Sequence, residues 1–192
     1  MAGKQAKILS SDAFDSLLAY ASSSRYPLRN TVIVLLSVKA GLRAGEIAKL
    51  TWPMILDPNG KLNCIIELHD KAAKKGSGRS IPIHPELAEA LEAWAETQAD
   101  LEGPVIRSER GGPMSPLSIV VWFKRAYELT GLKGCSSHSG RRTFITRAAR
   151  LVHKAGGSLR DVQLLAGHAS IQTTQRYIDG DTDAQRRLVT LI

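Results

Sequence analysis

Lys61-Leu-Asn-Cys-Ile-Ile-Glu-Leu-His69, followed by a Lys/Gly/Ser-rich stretch from Lys71 to Ser80 and then Ile81-Pro-Ile-His84, decides the fold class. Branched and apolar residues on both sides of a basic, glycine-containing turn predict strand, turn and strand. The regular segments outward from this hairpin have helical spacing. Toward the N-terminus, Phe14, Leu17, Leu18 and Ala21 follow a start at Ser10 or Ser11 supported by Asp12 and Asp15, a pattern that predicts a first helix. Leu28 to Ala40 is apolar around most of its circumference and ends at Gly41, as a buried central helix does. A short helix is expected from Ala44, carrying Glu46, Ile47 and Leu50, before Pro53 breaks the chain.

Toward the C-terminus, Pro85 opens a helix that places Leu87, Leu91 and Trp94 on one face, since proline is tolerated at a first helical position. Arg107 to Pro116 reads as a loop around Gly111-Gly112-Pro113. Helices are then expected over Ser118 to Leu129, Gly140 to Leu151 and Ser158 to Ala166. A turn at Gly167-His168 leads into a last helix capped by Ser170 and running through Tyr177. The predicted class is α+β, mostly helical with one small antiparallel sheet, rather than alternating βαβ units. Residues 1–192 are expected to form a single domain.

Composition supports a packed domain with an anionic partner. Of the 192 residues, 43% are hydrophobic and 23% charged, enough apolar material for a core and too much for a disordered basic tail. Lys and Arg number 26 against 18 Asp and Glu, a net charge of +8, and nucleic acid is a common partner of such a field. Cys64 and Cys135 are too few for a disulfide framework and lack zinc-site spacing, which points to a reducing cytoplasm with both as small core residues. No apolar run long enough to span a membrane and no secretory leader is apparent. The three tryptophans read as core, and His69, His84 and His153 as surface or satisfied core residues rather than metal ligands.

Three segments carry a joint pattern: Ala40-Gly-Leu-Arg43-Ala-Gly-Glu46-Ile-Ala-Lys-Leu50, His138-Ser-Gly-Arg141-Arg-Thr-Phe144, and Leu164-Leu-Ala-Gly-His168-Ala-Ser-Ile-Gln-Thr-Thr-Gln-Arg-Tyr177. In order and spacing they resemble the tyrosine recombinase (phage integrase) family, whose members cut and rejoin DNA through a tyrosine. The resemblance implies that Tyr177 is the nucleophile, that Arg43, Arg141, His138 and His168 surround the scissile phosphate, and that Glu46 supports them. It also implies a lysine on the hairpin as general acid. Counting back from Pro82 favours Lys74, with Lys71 and Lys75 as competitors. Lys71, Lys75, Arg79 and Arg142 are expected at the DNA, Arg142 standing where the family often has histidine.

The residue types suit the chemistry. Attack on a phosphodiester builds negative charge on the non-bridging oxygens, and planar guanidiniums hydrogen-bond those oxygens in a fixed fork. A phenol is mostly protonated at neutral pH, so a nucleophilic tyrosine needs cations or a base beside it. No metal and no nucleotide cofactor is expected. Double-stranded DNA is the expected partner, bound by a homo-oligomer in the cytoplasm of a bacterium or on phage DNA.

The resemblance covers the catalytic part alone, so the helical DNA-clamping domain that usually precedes it is expected to be absent. The tail from Asp181 to Ile192 would dock on a neighbouring protomer or pack on its own core. Two other readings remain open from sequence. Leu159 to Tyr177 also has a helix-turn-helix outline, which would make Ile171 to Tyr177 the recognition helix of a regulator. A type IB topoisomerase would share the phosphotyrosine chemistry.

Overall fold

The computed structural model describes residues 6–73 and 76–177, together with Arg186, Val189, Thr190 and Ile192. Lys74 and Lys75 lie outside the described residues, as does most of the tail segment. Helix α1 (Ser11–Ser22) starts where the Ser10 hydroxyl accepts from the Ala13 amide, and it buries Phe14, Leu17 and Ala21. Helix α2 (Pro27–Val38) opens on Pro27, and Val32, Ile33, Val34, Leu35 and Leu36 are all buried. It is the central rod, in contact with α1, with α4 (Pro85–Ala95) and with α6 (Ser139–Leu151). Each such leucine or isoleucine contributes about 1.5–3 kcal/mol by leaving water.

The sheet has two antiparallel strands, β1 (Ile65–Leu68) and β2 (Arg79–Pro82), with Ile66 opposite Ile81 on the buried face. Glu67 and Ser80 pair on the outer face, where the Ser80 hydroxyl donates to the Glu67 carboxylate at 2.7 Å. The first strand is shorter than its apolar run suggested. The chain before it is drawn aside by a bridge between Leu56 and Leu62 and by the Asn63 amide donating to the Ile55 carbonyl. Cys64 is consequently exposed rather than in the core, while Cys135 is half-buried against it. The second strand begins at Arg79, two residues ahead of the expected start. Trp52 is fully buried, whereas Trp94 and Trp122 are half-buried at the core's edge.

Helices α3 (Ala44–Lys49) and α5 (Pro116–Leu129) pack on each other. Helices α6 and α7 (Leu159–Ala166) form a second, smaller core from Ile145, Ala149, Val162 and Ala166. Its packing brings the three motif segments together. A Cβ at Gly140 would meet the side chains of Ser37 and Val38, so only glycine lets α6 sit this close to α2. The next residue, Arg141, thereby reaches the turn that ends α2. Helix α8 (Ile171–Gln175) is shorter than expected, and Arg176 and Tyr177 lie in the turn beyond it.

Candidate active site

The site is built from a glycine. Gly41 takes a left-handed φ of 66° at the end of α2, and a Cβ there would strike the Phe144 ring. The reversal buries Leu42 and delivers Arg43 to the first residue before α3. There the Arg43 amide donates to Glu46 Oε2 at 3.0 Å, and its guanidinium Nη1 donates to Glu46 Oε1. Glu46 is 1% exposed and shared, because Arg79 Nη2 reaches Oε2 at 3.0 Å from the other side. Burial alone would raise the pKa of Glu46. The hydrogen bond and charge of Arg79, with the amide and charge of Arg43, outweigh it and hold the carboxyl down to about 2.

Arg79 is therefore not where the sequence suggested. Its side chain is 5% exposed, and besides Glu46 its Nε donates to the Leu165 carbonyl at 2.8 Å. The guanidinium faces inward, joining the hairpin to α3 and to the end of α7. Gly167, left-handed at φ 61°, makes room for it, since a Cβ there would press on the Arg79 side chain at 3.0 Å.

Arg141 is 3% exposed and held by carbonyls from two segments: Nη1 donates to Gly41 O at 2.7 Å and Nη2 to Ala166 O at 2.5 Å. Burial first, and then the charge of Arg43, bring its pKa down to about 10, so it remains a cation at neutral pH. Its Nη2 also lies 3.1 Å from His168 Nε2. The other ring nitrogen of His168, Nδ1, is 2.9 Å from the Thr174 hydroxyl, and the His168 carbonyl accepts from Gln163 Nε2 at 2.8 Å. Burial, then the positive charges of Arg141, Arg43 and Arg79, lower the His168 pKa to about 4. The imidazole is neutral at pH 7, with Arg141 and Thr174 within hydrogen-bond distance of its two ring nitrogens.

Tyr177 stacks on His168 with ring centroids 5.4 Å apart and an interplanar angle of 23°. The Arg142 guanidinium lies 6.0 Å from the Tyr177 centroid, at the outer limit for a cation–π contact. The half-buried tyrosine also packs against the small core, and its carbonyl accepts from the Thr146 hydroxyl at 3.3 Å. His138, exposed, occupies the position before α6 and faces the same space. Arg43, His138, Arg141, Arg142, His168 and Tyr177 thus line one open cleft of about 460 Å³. Lys71 does not line it, but lies exposed in the turn after β1 with its carbonyl accepting from Lys49 Nζ at 3.4 Å.

The cleft suits an anion of phosphate size. Arg43, Arg79 and Arg141 stand against one buried carboxylate, and Arg43, 21% exposed, opens onto the cleft. Among the described residues no group of three or more His, Cys, Asp or Glu could hold a metal ion, and no helix is long and apolar enough to cross a membrane. Sequence reasoning missed Thr174 and Gln163, which are buried and bonded to His168. Neither carries a signal beyond a polar residue at a helical position.

The shifts fix a pH dependence. A histidine depressed from 6.5 to about 4 in the fold binds fewer protons than the unfolded chain between those values, so stability falls as pH drops through that window. Glu46 adds a second loss between 4.5 and about 2. The thermal midpoint is expected to fall between pH 6.5 and 4, with a shallower slope over that window in His168→Gln. Equal slopes in the two proteins would contradict the assignment.

The sequence model of the phage integrase family matches residues 7–183. Tyrosine recombinase XerC of Xylella fastidiosa (strain 9a5c) is 30% identical over 176 residues, which cover 91% of this chain and 56% of that protein. XerC of Rhizobium meliloti (strain 1021) is 30% identical over 158 residues, covering 80% and 46% respectively. The chain spans about half the length of the curated relatives it matches. Among solved structures, XerA recombinase superposes with a TM-score of 0.75 at 25% identity, over 96% of this chain and 64% of that one. A lambda integrase dimer bound to a COC′ core site gives a TM-score of 0.72 at 23% identity, over 93% and 49%, a likeness of fold.

Proposed function

The chain belongs to the phage integrase family, and on that premise we propose that it is the catalytic domain of a site-specific DNA recombinase that acts through Tyr177. The observation that carries this reading is the convergence of Arg43, His138, Arg141, His168 and Tyr177 on one cleft. The Tyr177 phenol gives its proton to His138 as its oxygen attacks the scissile phosphorus of double-stranded DNA. An O–P bond to the tyrosine forms, the bond to the 5′ oxygen breaks, and that oxygen leaves as a hydroxyl after gaining a proton. The product is a 3′-phosphotyrosine, which a 5′ hydroxyl from another strand attacks in the reverse sense.

Arg43 and Arg141 clamp the non-bridging oxygens as charge builds on them. His138 and neutral His168 serve as proton-transfer and hydrogen-bonding groups around the phosphate. A hairpin lysine, Lys74 in preference to Lys71 or Lys75, protonates the leaving oxygen. Arg142, beside the Tyr177 ring, is a further cation for the DNA. The bond energy is conserved in the phosphotyrosine and the charge is met by arginine, so the reaction uses neither metal ion nor nucleotide. Exchange between two duplexes requires copies of the chain assembled on DNA, and the setting is the cytoplasm, where bacterial and phage DNA reside.

The helix-turn-helix alternative is less well supported. Helix α8 spans five residues, and its Thr174 is buried against His168 instead of facing outward as a base reader would.

A nicked duplex loses the short strand needed for religation and traps the intermediate. Incubated with nicked duplexes tiled across DNA flanking the gene, the protein is expected to give a covalent protein–DNA species on denaturing gels. Its binding should weaken with salt, the slope of log affinity against log salt being about −0.9 per phosphate contacted. Salt-sensitive binding across the tiled set with no covalent species would overturn the catalytic reading.

A further inference from the structure

Behind the cleft, His168 Nδ1 lies 2.9 Å from the buried Thr174 hydroxyl, a contact with no part yet assigned. A guanidinium only donates hydrogen bonds. Arg141 Nη2, 3.1 Å from His168 Nε2, therefore requires a lone pair on that nitrogen. A neutral imidazole then carries its proton on Nδ1, and Nδ1–H donates to the Thr174 hydroxyl at 2.9 Å. Thr174 is fully buried, so water does not replace it as acceptor. It is also part of the segment leading to the tyrosine: the Tyr177 amide donates to the Thr174 carbonyl at 3.0 Å, and the Tyr177 ring lies on the His168 ring.

We propose that Thr174 is a positioning residue, whose hydroxyl accepts from His168 Nδ1–H, fixes the orientation of the ring and ties it to the segment that carries Tyr177. One threonine thereby aligns two groups of the cleft, through its side chain on one and its backbone on the other. The groups facing His168 are Arg141 from α6, Arg43 from the turn before α3, Arg79 from β2, and Tyr177. All but Tyr177 are cations, and Thr174, beside them, is the group placed to accept from Nδ1.

The catalytic consequence rests on the recombinase reading, whereas the hydrogen bond does not, so the test reads both. Long-range proton–nitrogen NMR of the ring, at pH 7, distinguishes a protonated ring nitrogen from a bare one, and the exchange rate of the ring N–H proton reports its hydrogen bond. Wild type is expected to show His168 protonated at Nδ1 with that proton protected from exchange, Thr174→Ser to match it, and Thr174→Val to keep the proton on Nδ1 but lose the protection. On nicked duplexes, Thr174→Val should form the covalent species about tenfold more slowly at unchanged DNA affinity, the size expected for losing one buried hydrogen bond. Thr174→Ser should restore the rate. A wild-type ring protonated at Nε2, or a Thr174→Val variant whose Nδ1 proton exchanges as slowly as in wild type, would overturn the proposal. If the protection is lost in Thr174→Val but no variant, wild type included, forms a covalent species, Thr174 positions His168 and the recombinase reading fails instead.

Discussion

Tyr177→Phe is expected to abolish the covalent DNA species while leaving DNA affinity and folding stability close to wild type. The substitution removes one oxygen and keeps the ring. The contacts that hold the residue survive it: the stack on His168 uses the ring, the small core packs against the ring, and Thr146 bonds the backbone carbonyl. Only the nucleophile is lost, and phenylalanine has no atom that can bond to phosphorus. Filter binding, thermal unfolding and the trapping gel on one preparation separate the three effects. Persistence of the covalent species in the Phe variant would place the nucleophile elsewhere.

Glu46→Ala is expected to cost about 3–5 kcal/mol of stability, the range for removing one partner of a buried ion pair and stranding the other. Domains of this size are stable by about 5–15 kcal/mol, so the variant should be close to unfolding at growth temperature. Arg79, 5% exposed, loses its only carboxylate among the described residues, and Arg43 loses the anchor that aims it at the cleft. Adding Arg79→Met to Glu46→Ala should recover part of the loss, because the stranded buried charge goes with it. Urea unfolding of the single and double variants measures this. A single-variant cost below about 1 kcal/mol would mean that the pair behaves like an exposed one.

The legibility of the chain follows from the range of the interactions concerned. Helices α1, α2 and α4 were readable because capping and apolar spacing are local, and Ser10, Pro27 and Pro85 stand where the starts are. The hairpin was readable in kind but not in length, because Asn63 is drawn to Ile55, a contact the strand pattern does not encode. The end of α8 was misplaced for a related reason: Tyr177 turns toward His168 and the small core, a tertiary pull that overrides a helical pattern.

The site divides in the same way. Arg43, Arg141, His138, His168 and Tyr177 recur in fixed local motifs, so their convergence was foreseeable as a resemblance, and the cleft lines all five. Arg79 was not. A basic residue near a lysine-rich turn reads as surface, and only the fold shows that Glu46 sits between two guanidiniums. Thr174 and Gln163 were invisible because a polar residue's partner lies in space rather than in the spacing of the chain.

The most direct test of the account is peptide mapping of the trapped species. After nuclease trimming and proteolysis, mass spectrometry is expected to find a nucleotide 3′-phosphate esterified to the peptide that contains Tyr177. A nucleotide on any other residue, or only non-covalent DNA in the preparation, would contradict the claim that this cleft breaks DNA through its tyrosine.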